Sequence, residues 1–406
     1  MRFIVALFIT VYSMPSIASL KLDGFANIGA SLTDSKYAGI RTQVSQHDAL
    51  FADEIDWRQI SSAGLQAEWR FSNQVQFVSQ LVLKDSADHS LDDKIKMAFL
   101  RYSPSPELTV NLGRTAIDLY MMTDYRDIGY AYIPVHLPTE FYGIIPHESL
   151  NGFDISYKHV SDFGLITSKF FYGRSKAPVI SDGDFTWEVR LKNIFGFTIQ
   201  LEQQDWLVRV NHTQTTAEDG YPGQNELVSA LNQVPDAIWP SVMSVKESLL
   251  FQNSKLTYSA VGARYDNADV ILQGEMSLVD SKSILLNDLL SGYVSAGKRL
   301  GSHTLMLTYS HIQADAPTIE PPLISDPNLN ALYTAVKSAT DFYRLRQNTS
   351  SLSWRYDLSD TWSLKAQFDH THVRYQPSGL YLHDFSRNPD GSFSTFSISS
   401  HWIFDL

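Results

Sequence analysis

Paired segments in which polar and apolar residues strictly alternate are the feature that most constrains how this chain can fold. In residues 347–358, Trp354 and Tyr356 share one face, whereas Arg355 and Asp357 share the other. A period of two is the signature of a β-strand with one apolar and one polar face, and apolar residues at helical spacing are scarce. About sixteen segments alternate in this way, a number within the range of bacterial barrels. The sequence therefore predicts an all-β fold.

The connections between these segments are sorted by length. Short turns at Ser72-Asn73, Gly301-Ser302 and Ser359-Asp360 alternate along the chain with long polar loops. In an antiparallel sheet this order places every short turn at one end and every long loop at the other, as in membrane barrels with periplasmic turns and extracellular loops. A soluble β-sandwich is not expected to separate its short turns from its long loops in this way. The sequence thus predicts a transmembrane antiparallel β-barrel of about 16 strands.

Large aromatic residues gather near the predicted strand ends, where a membrane barrel needs interfacial girdles. Aromatic residues also favour strands in general, so this pattern supports a membrane barrel only together with the sorted loops. The residues in question are Trp69, Tyr102, Trp187, Trp206, Trp354, Trp362 and Trp402.

The N-terminus carries the pattern of a secretory signal peptide. An apolar run from Phe3 to Tyr12 is followed by small residues that fit a cut after Ala18. The run is well short of the roughly 20 residues that a membrane-spanning helix needs. We expect residues 1–18 to be removed and residues 19–406 to form one barrel domain.

Composition excludes several other classes of protein. The chain has no cysteine, so it cannot carry a disulfide framework, a thiolate metal site or a cysteine nucleophile. Its formal net charge is -12, which disfavours binding to nucleic acid. An exported, acidic and aromatic-rich chain remains.

The long loop 114–146 is dense in aromatic and charged residues together. Long loops of this composition inside a compact domain are usually functional. We expect the loop to fold into the barrel and narrow it, because rings left in a free loop would be exposed to water. The residues predicted to form the constriction are Arg114, Asp118, Asp124, Arg126, Asp127, Tyr130 and Glu140.

Basic residues on the polar faces of the predicted strands would complete a transverse electric field across this narrow point, and pore charges decide which ions pass. The loop carboxylates are expected to face Arg70, Arg190 and Arg355 among them. The facing of segment 94–102 stays open, because its basic residues differ in parity. The full predicted wall set is Arg70, Lys158, Arg190, Lys192, Arg209, Arg355 and Lys365.

Other chemistry is less well supported by the sequence. His370 and His372 share a strand face and could hold a divalent ion, but metal sites need further fixed ligands. Acidic residues in predicted outer loops could bind calcium or bridge lipopolysaccharide, but the spacing of a calcium loop is incomplete, so solvated loop charge is favoured. These acids are Asp88, Asp92-Asp93 and Asp182-Gly183-Asp184. No catalytic residue, metal or cofactor is predicted.

At the level of architecture the chain resembles the general porins of Gram-negative outer membranes, with a signal peptide, about sixteen strands, a long third loop and an apolar last strand. The stretches 23–27 and 127–132 look like parts of porin-like proteins. The resemblance implies a homotrimer in outer-membrane lipid and lipopolysaccharide, with the third loop at the constriction. One departure concerns the C-terminus, because such porins commonly end in phenylalanine, whereas here Phe404 is followed by Asp405-Leu406.

The function predicted from the sequence is passive diffusion of ions and small hydrophilic solutes through a water-filled outer-membrane channel. Three alternatives stay open. The first is a channel selective for one substrate class, and the second is a barrel enzyme like an outer-membrane phospholipase, which would need a serine, a histidine and an orienting polar residue together. The third is a structural or adhesive barrel with a plugged lumen.

Overall fold

The structure, a computed structural model, describes residues 19–180, 186–286, 288–315, 317–341, 344–374, 380–383 and 391–405. The predicted signal peptide and the acidic run 182–184 lie outside the described residues.

Within these ranges, sixteen strands close into one antiparallel barrel, each pairing with the next in sequence and β1 pairing with β16. This closure confirms the predicted fold class. The strands are β1 (Ser19–Thr33), β2 (Ser62–Arg70), β3 (Val75–Lys84), β4 (Ile95–Tyr102), β5 (Leu108–Ala116), β6 (Ser149–Ser161), β7 (Gly164–Ile180), β8 (Thr186–Gln203), β9 (Trp206–Ala217), β10 (Lys255–Asp266), β11 (Val270–Ser281), β12 (Leu289–Leu300), β13 (His303–Ala314), β14 (Leu345–Ser359), β15 (Trp362–Val373) and β16 (Gly391–Asp405).

The connections are sorted by length between the two ends of the barrel. Tight turns such as 162–163, 204–205 and 301–302 lie at the end where β1 begins and β16 finishes, which we call the turn end. Long connections such as 34–61 and 117–148 lie at the opposite, loop end. Antiparallel pairing places successive connections at alternate ends of the barrel, so short and long connections that alternate along the chain fall at opposite ends.

The outer surface of the barrel is apolar and the inner surface is polar, as strand alternation requires. On β15, Phe368 is exposed outwards, whereas Lys365 and Gln367 are buried inside. Aromatic pairs stand near the turn end, among them Trp206 with Tyr265. Such a surface fits a lipid bilayer bounded by an interfacial girdle.

A β-bulge in β8 reverses the facing of the loop-end half of that strand. Asn193 has a positive φ of 51°, and the pairing of β8 with both neighbours shifts register there. An extra residue in one strand exchanges its inner and outer faces. Arg190, which is exposed, and Lys192, which is half-buried, are therefore outside the lumen, where the alternation of the sequence had placed them inside. Trp187 faces inwards instead of joining the girdle.

A second bulge, in β4, resolves the facing that the sequence left open. The register with β3 shifts between Gln80 and Leu81. Lys94 and Lys96 are buried within the barrel, while Leu100 is exposed outside. The mixed parity of the basic residues thus results from one extra residue in the strand.

Helices occur in the long connections, where the sequence predicted only polar loops. None of those among the described residues is long and apolar enough to cross a membrane. The α-helices are Leu91–Lys94, Thr139–Tyr142, Gln224–Leu231, Val242–Ser248 and Pro327–Asp341, with 3-10 turns at Thr123–Tyr125 and Gly129–Ala131.

Two apolar clusters lie at the loop end of the barrel. One joins Phe141 of segment 117–148 to residues such as Trp239 and Leu249 of connection 218–254. The other joins Leu50 of connection 34–61 to the inner face of the wall at Ile312. The loop end is therefore packed with connecting segments, and the lumen is narrower there than the strand number alone implies.

Candidate functional site inside the barrel

Segment 117–148, between β5 and β6, crosses the lumen and contacts inner wall residues around most of the barrel. It touches β9 through Arg209, β11 through Glu275, β15 through Lys365 and β16 through His401. Strands so far apart around a closed barrel share only the lumen as common space. The segment therefore lies inside the barrel, where the sequence analysis expected loop 114–146.

The segment enters the lumen at Asp118, which is buried against the basic residues of two strands. An Asp118 carboxylate oxygen lies 2.8 Å from Arg209 Nη2, and the other lies 3.9 Å from Lys169 Nζ. The Asp118 carbonyl also accepts from Asn211 Nδ2 at 2.7 Å. Burial opposes ionisation of Asp118, but the charges of Lys169 and Arg209 outweigh it and lower the pKa of this carboxyl. Of the predicted site residues, Asp118 and Arg209 are thus brought together.

A cluster of opposite charges forms where the segment leaves the lumen at Glu148. Lys84 Nζ lies 2.7 Å from both Asp127 Oδ1 and Glu148 Oε1, and Lys96 Nζ lies 3.0 Å from Glu148 Oε2. Arg126 Nη2 is 3.4 Å from Glu148. Burial again opposes ionisation, but the three cations hold the pKa of Glu148 well below its ordinary value. The cluster ties Asp127, in the middle of the segment, and Glu148, at its end, to Lys84 of β3 and Lys96 of β4.

Two predicted wall cations bind backbone carbonyls of the segment instead of its carboxylates. Lys365 Nζ donates to the carbonyls of Gly129 and Tyr132, and to that of Pro134 at 3.1 Å. Arg355 donates to the Tyr132 carbonyl at 3.2 Å. Both side chains are buried. Both groups therefore hold the segment against the wall and do not face open water.

Tyr130 and Gly129 show how closely the segment approaches the wall. The Arg355 guanidinium stacks over the Tyr130 ring at 4.5 Å, a cation–π contact, and the Tyr130 hydroxyl donates to the Ser359 carbonyl at 3.3 Å. A Cβ at Gly129 would overlap the His401 ring. Glycine is therefore required at this contact.

Glu140, in the short helix Thr139–Tyr142 of the segment, is buried against the wall. Its carboxylate accepts from the Ser310 hydroxyl at 2.6 Å and also from Gln347 and Thr349. Three neutral donors thus satisfy this buried acceptor. The predicted constriction residue Glu140 is thus an anchor.

Asp124 is the predicted constriction residue that faces water. Its side chain is exposed, in the 3-10 turn Thr123–Tyr125. The neighbouring Arg126 points the other way and is buried, donating to the Tyr142 carbonyl at 3.2 Å. A carboxylate exposed in a narrowed lumen would interact with any ion that enters it.

Three further predicted residues lie away from the segment. Arg114, at the end of β5, donates to Asn151 Oδ1 at 3.0 Å and to Asp92 Oδ1 at 2.8 Å. Arg70 and Lys158 are exposed at the turn end of β2 and β6. The expectation that the loop carboxylates face Arg70 and Arg190 is therefore wrong. Arg70 lies at the turn end of the barrel, and Arg190 lies on the outer face of the bulged β8. The loop carboxylates Asp118, Asp127 and Glu148 pair with other basic residues, namely Lys84, Lys96, Lys169 and Arg209.

Glu275 is an anchor of the segment that was not among the residues predicted from the sequence. This residue of β11 is buried in the wall and accepts from the Met121 backbone N–H at 2.8 Å, the Tyr293 hydroxyl at 3.0 Å and the Tyr142 hydroxyl. Its place in the alternation of β11 shows that it faces inwards. Nothing in the sequence pairs it with Tyr142, which is 133 residues distant.

Glu275→Ala is expected to lower the free energy of unfolding by about 2–4 kcal/mol, because three buried donors lose their acceptor. Asp280→Ala, at an exposed position of the same strand, is the matched control and should change it by less than about 0.5 kcal/mol. Urea unfolding in detergent micelles measures both variants. Equal effects of the two substitutions would show that Glu275 does not anchor the segment.

The residues considered for metal binding are engaged in other contacts. His370 and His372 are exposed, with Nδ1 at 3.1 Å and 3.0 Å from the hydroxyls of Ser394 and Ser392. Asp92 pairs with Arg114. Among the described residues, no three His, Asp or Glu side chains come together as a metal site.

One triad-like arrangement bears on the enzyme alternative. His401 Nε2 lies 2.6 Å from the Ser399 hydroxyl, and its Nδ1 lies 2.7 Å from Asn27 Oδ1. This is the hydrogen-bond order of nucleophile, base and orienting residue in hydrolases. All three side chains face the lumen and are at most 6% exposed, under Gly129. A substrate would have to displace the segment to reach Ser399.

Comparison with known proteins supports the fold. The sequence matches no protein-family model, and a search among curated proteins gives no match. In structure, the chain is similar to an anion-selective porin from Comamonas acidovorans, with a TM-score of 0.54, 12% identity and coverage of 95% of this chain and 100% of that one.

Two further solved structures are similar to the same extent. OmpF of Salmonella typhi, in complex with daunomycin, has a TM-score of 0.54 at 11% identity over 95% of this chain and 97% of that one. The trimer form of OmpT, an outer membrane protein of Vibrio cholerae, has a TM-score of 0.52 at 11% identity over 95% and 99%. The chain thus has the fold of porin-like barrels.

Proposed function

We propose that this chain is an outer-membrane channel through which ions and small hydrophilic solutes diffuse, and that segment 117–148 forms its constriction. The observation that carries the proposal is a charged segment tied across the lumen of a closed barrel, with Asp124 left exposed to water. A wide pore needs no such segment, whereas a filter needs fixed charges at a narrow point. Asp118, Asp127 and Glu148 are paired with cations, which leaves the exposed Asp124 to act on passing ions.

Location and assembly belong to the same proposal. The barrel would reach the outer membrane with residues 1–18 serving as signal peptide, and its loop end would face outwards among lipopolysaccharide. Two of the similar structures are described as outer membrane proteins or porins, and one is described as a trimer. By analogy we propose a homotrimer for this chain.

Planar bilayers test the channel directly. The purified mature chain should give stepwise ion conductance, and liposomes that contain it should swell in small sugars at a rate that falls with sugar size. A folded protein that gives neither conductance nor swelling would contradict the proposal and favour a plugged barrel.

The enzyme alternative rests on the Ser399, His401 and Asn27 arrangement and predicts a different result. Ester hydrolysis by the folded protein that is abolished in Ser399→Ala would establish it. We expect no hydrolysis above the level of that variant, because Ser399 is buried and Gly129 of segment 117–148 lies against His401.

A further inference from the structure

An apolar cavity of about 190 Å³ lies inside the loop end of the barrel. Segment 117–148 forms one side of it, and the inner faces of β8, β10 and β12 form another. Among the described residues that line it there is no Asp, Glu, Lys or Arg. The main contributors are Ile117, Leu119, Leu191, Ile194, Leu256 and Leu289.

The β8 bulge at Asn193 creates much of this lining. Beyond the bulge Val189 and Leu191 face inwards, whereas on the turn-end side Phe195 and Ile199 are exposed outside. The outer face of the loop-end half of β8 carries charged residues instead, such as Glu188, which pairs with Lys176 of β7 at 3.0 Å. A charged outer face does not fit hydrocarbon. The cavity therefore lies in the part of the barrel that projects beyond the bilayer core.

The polar groups that line the cavity are few and carry no charge. His147 lines it, with Nδ1 3.0 Å from the Ser175 hydroxyl. Burial lowers the pKa of His147 to about 4, so its imidazole is neutral at pH 7. Thr213, Thr215 and Thr257 supply hydroxyl groups at the wall.

We propose that this cavity binds a neutral, apolar molecule about the size of one aromatic ring. Water needs two to four polar partners to occupy a buried site, whereas an aliphatic cavity of roughly 150 Å³ stays dry and takes up benzene. A hydrophilic solute would find few directed donors and no charge there. The inference goes beyond the proposed channel and does not depend on whether the barrel conducts ions.

The test is ¹⁹F NMR of fluorobenzene with the mature chain folded in detergent micelles. Partitioning into micelles grows linearly with ligand, so a saturable component reports the cavity. Leu289→Trp fills the cavity, and Leu290→Trp adds the same bulk at the next residue, which is 41% exposed on the outside. Saturable binding is expected in the unmodified chain and in Leu290→Trp, and its loss is expected in Leu289→Trp.

Two results would overturn the proposal. One is the absence of a saturable component in the unmodified chain, and the other is equal binding in both tryptophan variants. If Leu289→Trp does not fold, Leu285→Trp, which fills the same cavity from the connection between β11 and β12, takes its place. Conductance of the same samples is measured separately, so failure of the cavity and failure of the channel are distinguishable.

Discussion

Deleting Thr123 to Pro138 is expected to raise the single-channel conductance severalfold. The deleted residues include the part of segment 117–148 that lies against β14 and β15, and their removal opens the lumen of a sixteen-stranded barrel. In the unmodified chain the side chains of Arg355 and Lys365 bind carbonyls of the segment, and the deletion exposes both to the lumen. Ion preference should therefore shift towards anions at the same time. Recordings in planar bilayers measure both quantities.

The folded state of the deletion variant must be established first. Its flanks keep the anchors Asp118 and Glu148, so barrel closure is expected to survive. Retention of β-structure by circular dichroism and heat-dependent mobility on gels serve as the controls. Unchanged conductance in a folded barrel would mean that segment 117–148 does not form the constriction.

Neutralising Asp124 is expected to change ion selectivity with little effect on stability. Asp124→Asn removes an exposed carboxylate from the narrowed lumen, so the reversal potential in a salt gradient should move towards anion preference. Asp127→Asn should act in the same direction, because it leaves Lys84 with one carboxylate partner fewer. The combined variant should give the largest shift.

Glu140→Gln is the matched control for this prediction. It removes the same charge from the same segment, but the side chain is buried among Ser310, Gln347 and Thr349. Its main effect is expected on stability, since the amide offers donors where three donors already point. A selectivity shift as large as that of Asp124→Asn would show that exposure does not decide which carboxylates act on ions.

The barrel itself could be predicted from the sequence, because alternation and loop length are local properties of each strand pair. The facing of individual residues could not always be predicted. Arg190 and Lys192 were assigned to the lumen by simple alternation, and one residue at Asn193 reverses that assignment. A bulge is set by the fit between three strands, and it leaves little trace in one segment of sequence.

The location of segment 117–148 could be anticipated from its composition, but its partners could not. Asp118 pairs with Arg209, which the sequence placed on a polar strand face but did not single out as a partner. Lys365 binds backbone carbonyls, which every residue has, so no side chain in the sequence marks its partners. The role of Glu275 depends on a contact with Tyr142 across 133 residues of chain. Such pairings follow from barrel closure and register, which a sequence read strand by strand does not specify.

Modification of a single cysteine at position 124 tests the central claim most directly. The chain has no cysteine of its own, so Asp124→Cys introduces a single thiol. This thiol is expected to lie in the water-filled constriction. A charged methanethiosulfonate reagent added during a bilayer recording should lower the conductance in steps, and reagents of opposite charge should shift selectivity in opposite directions. Glu140→Cys, buried in the wall, should not react. Complete modification at position 124, shown by mass spectrometry, with conductance and selectivity unchanged, would contradict the account.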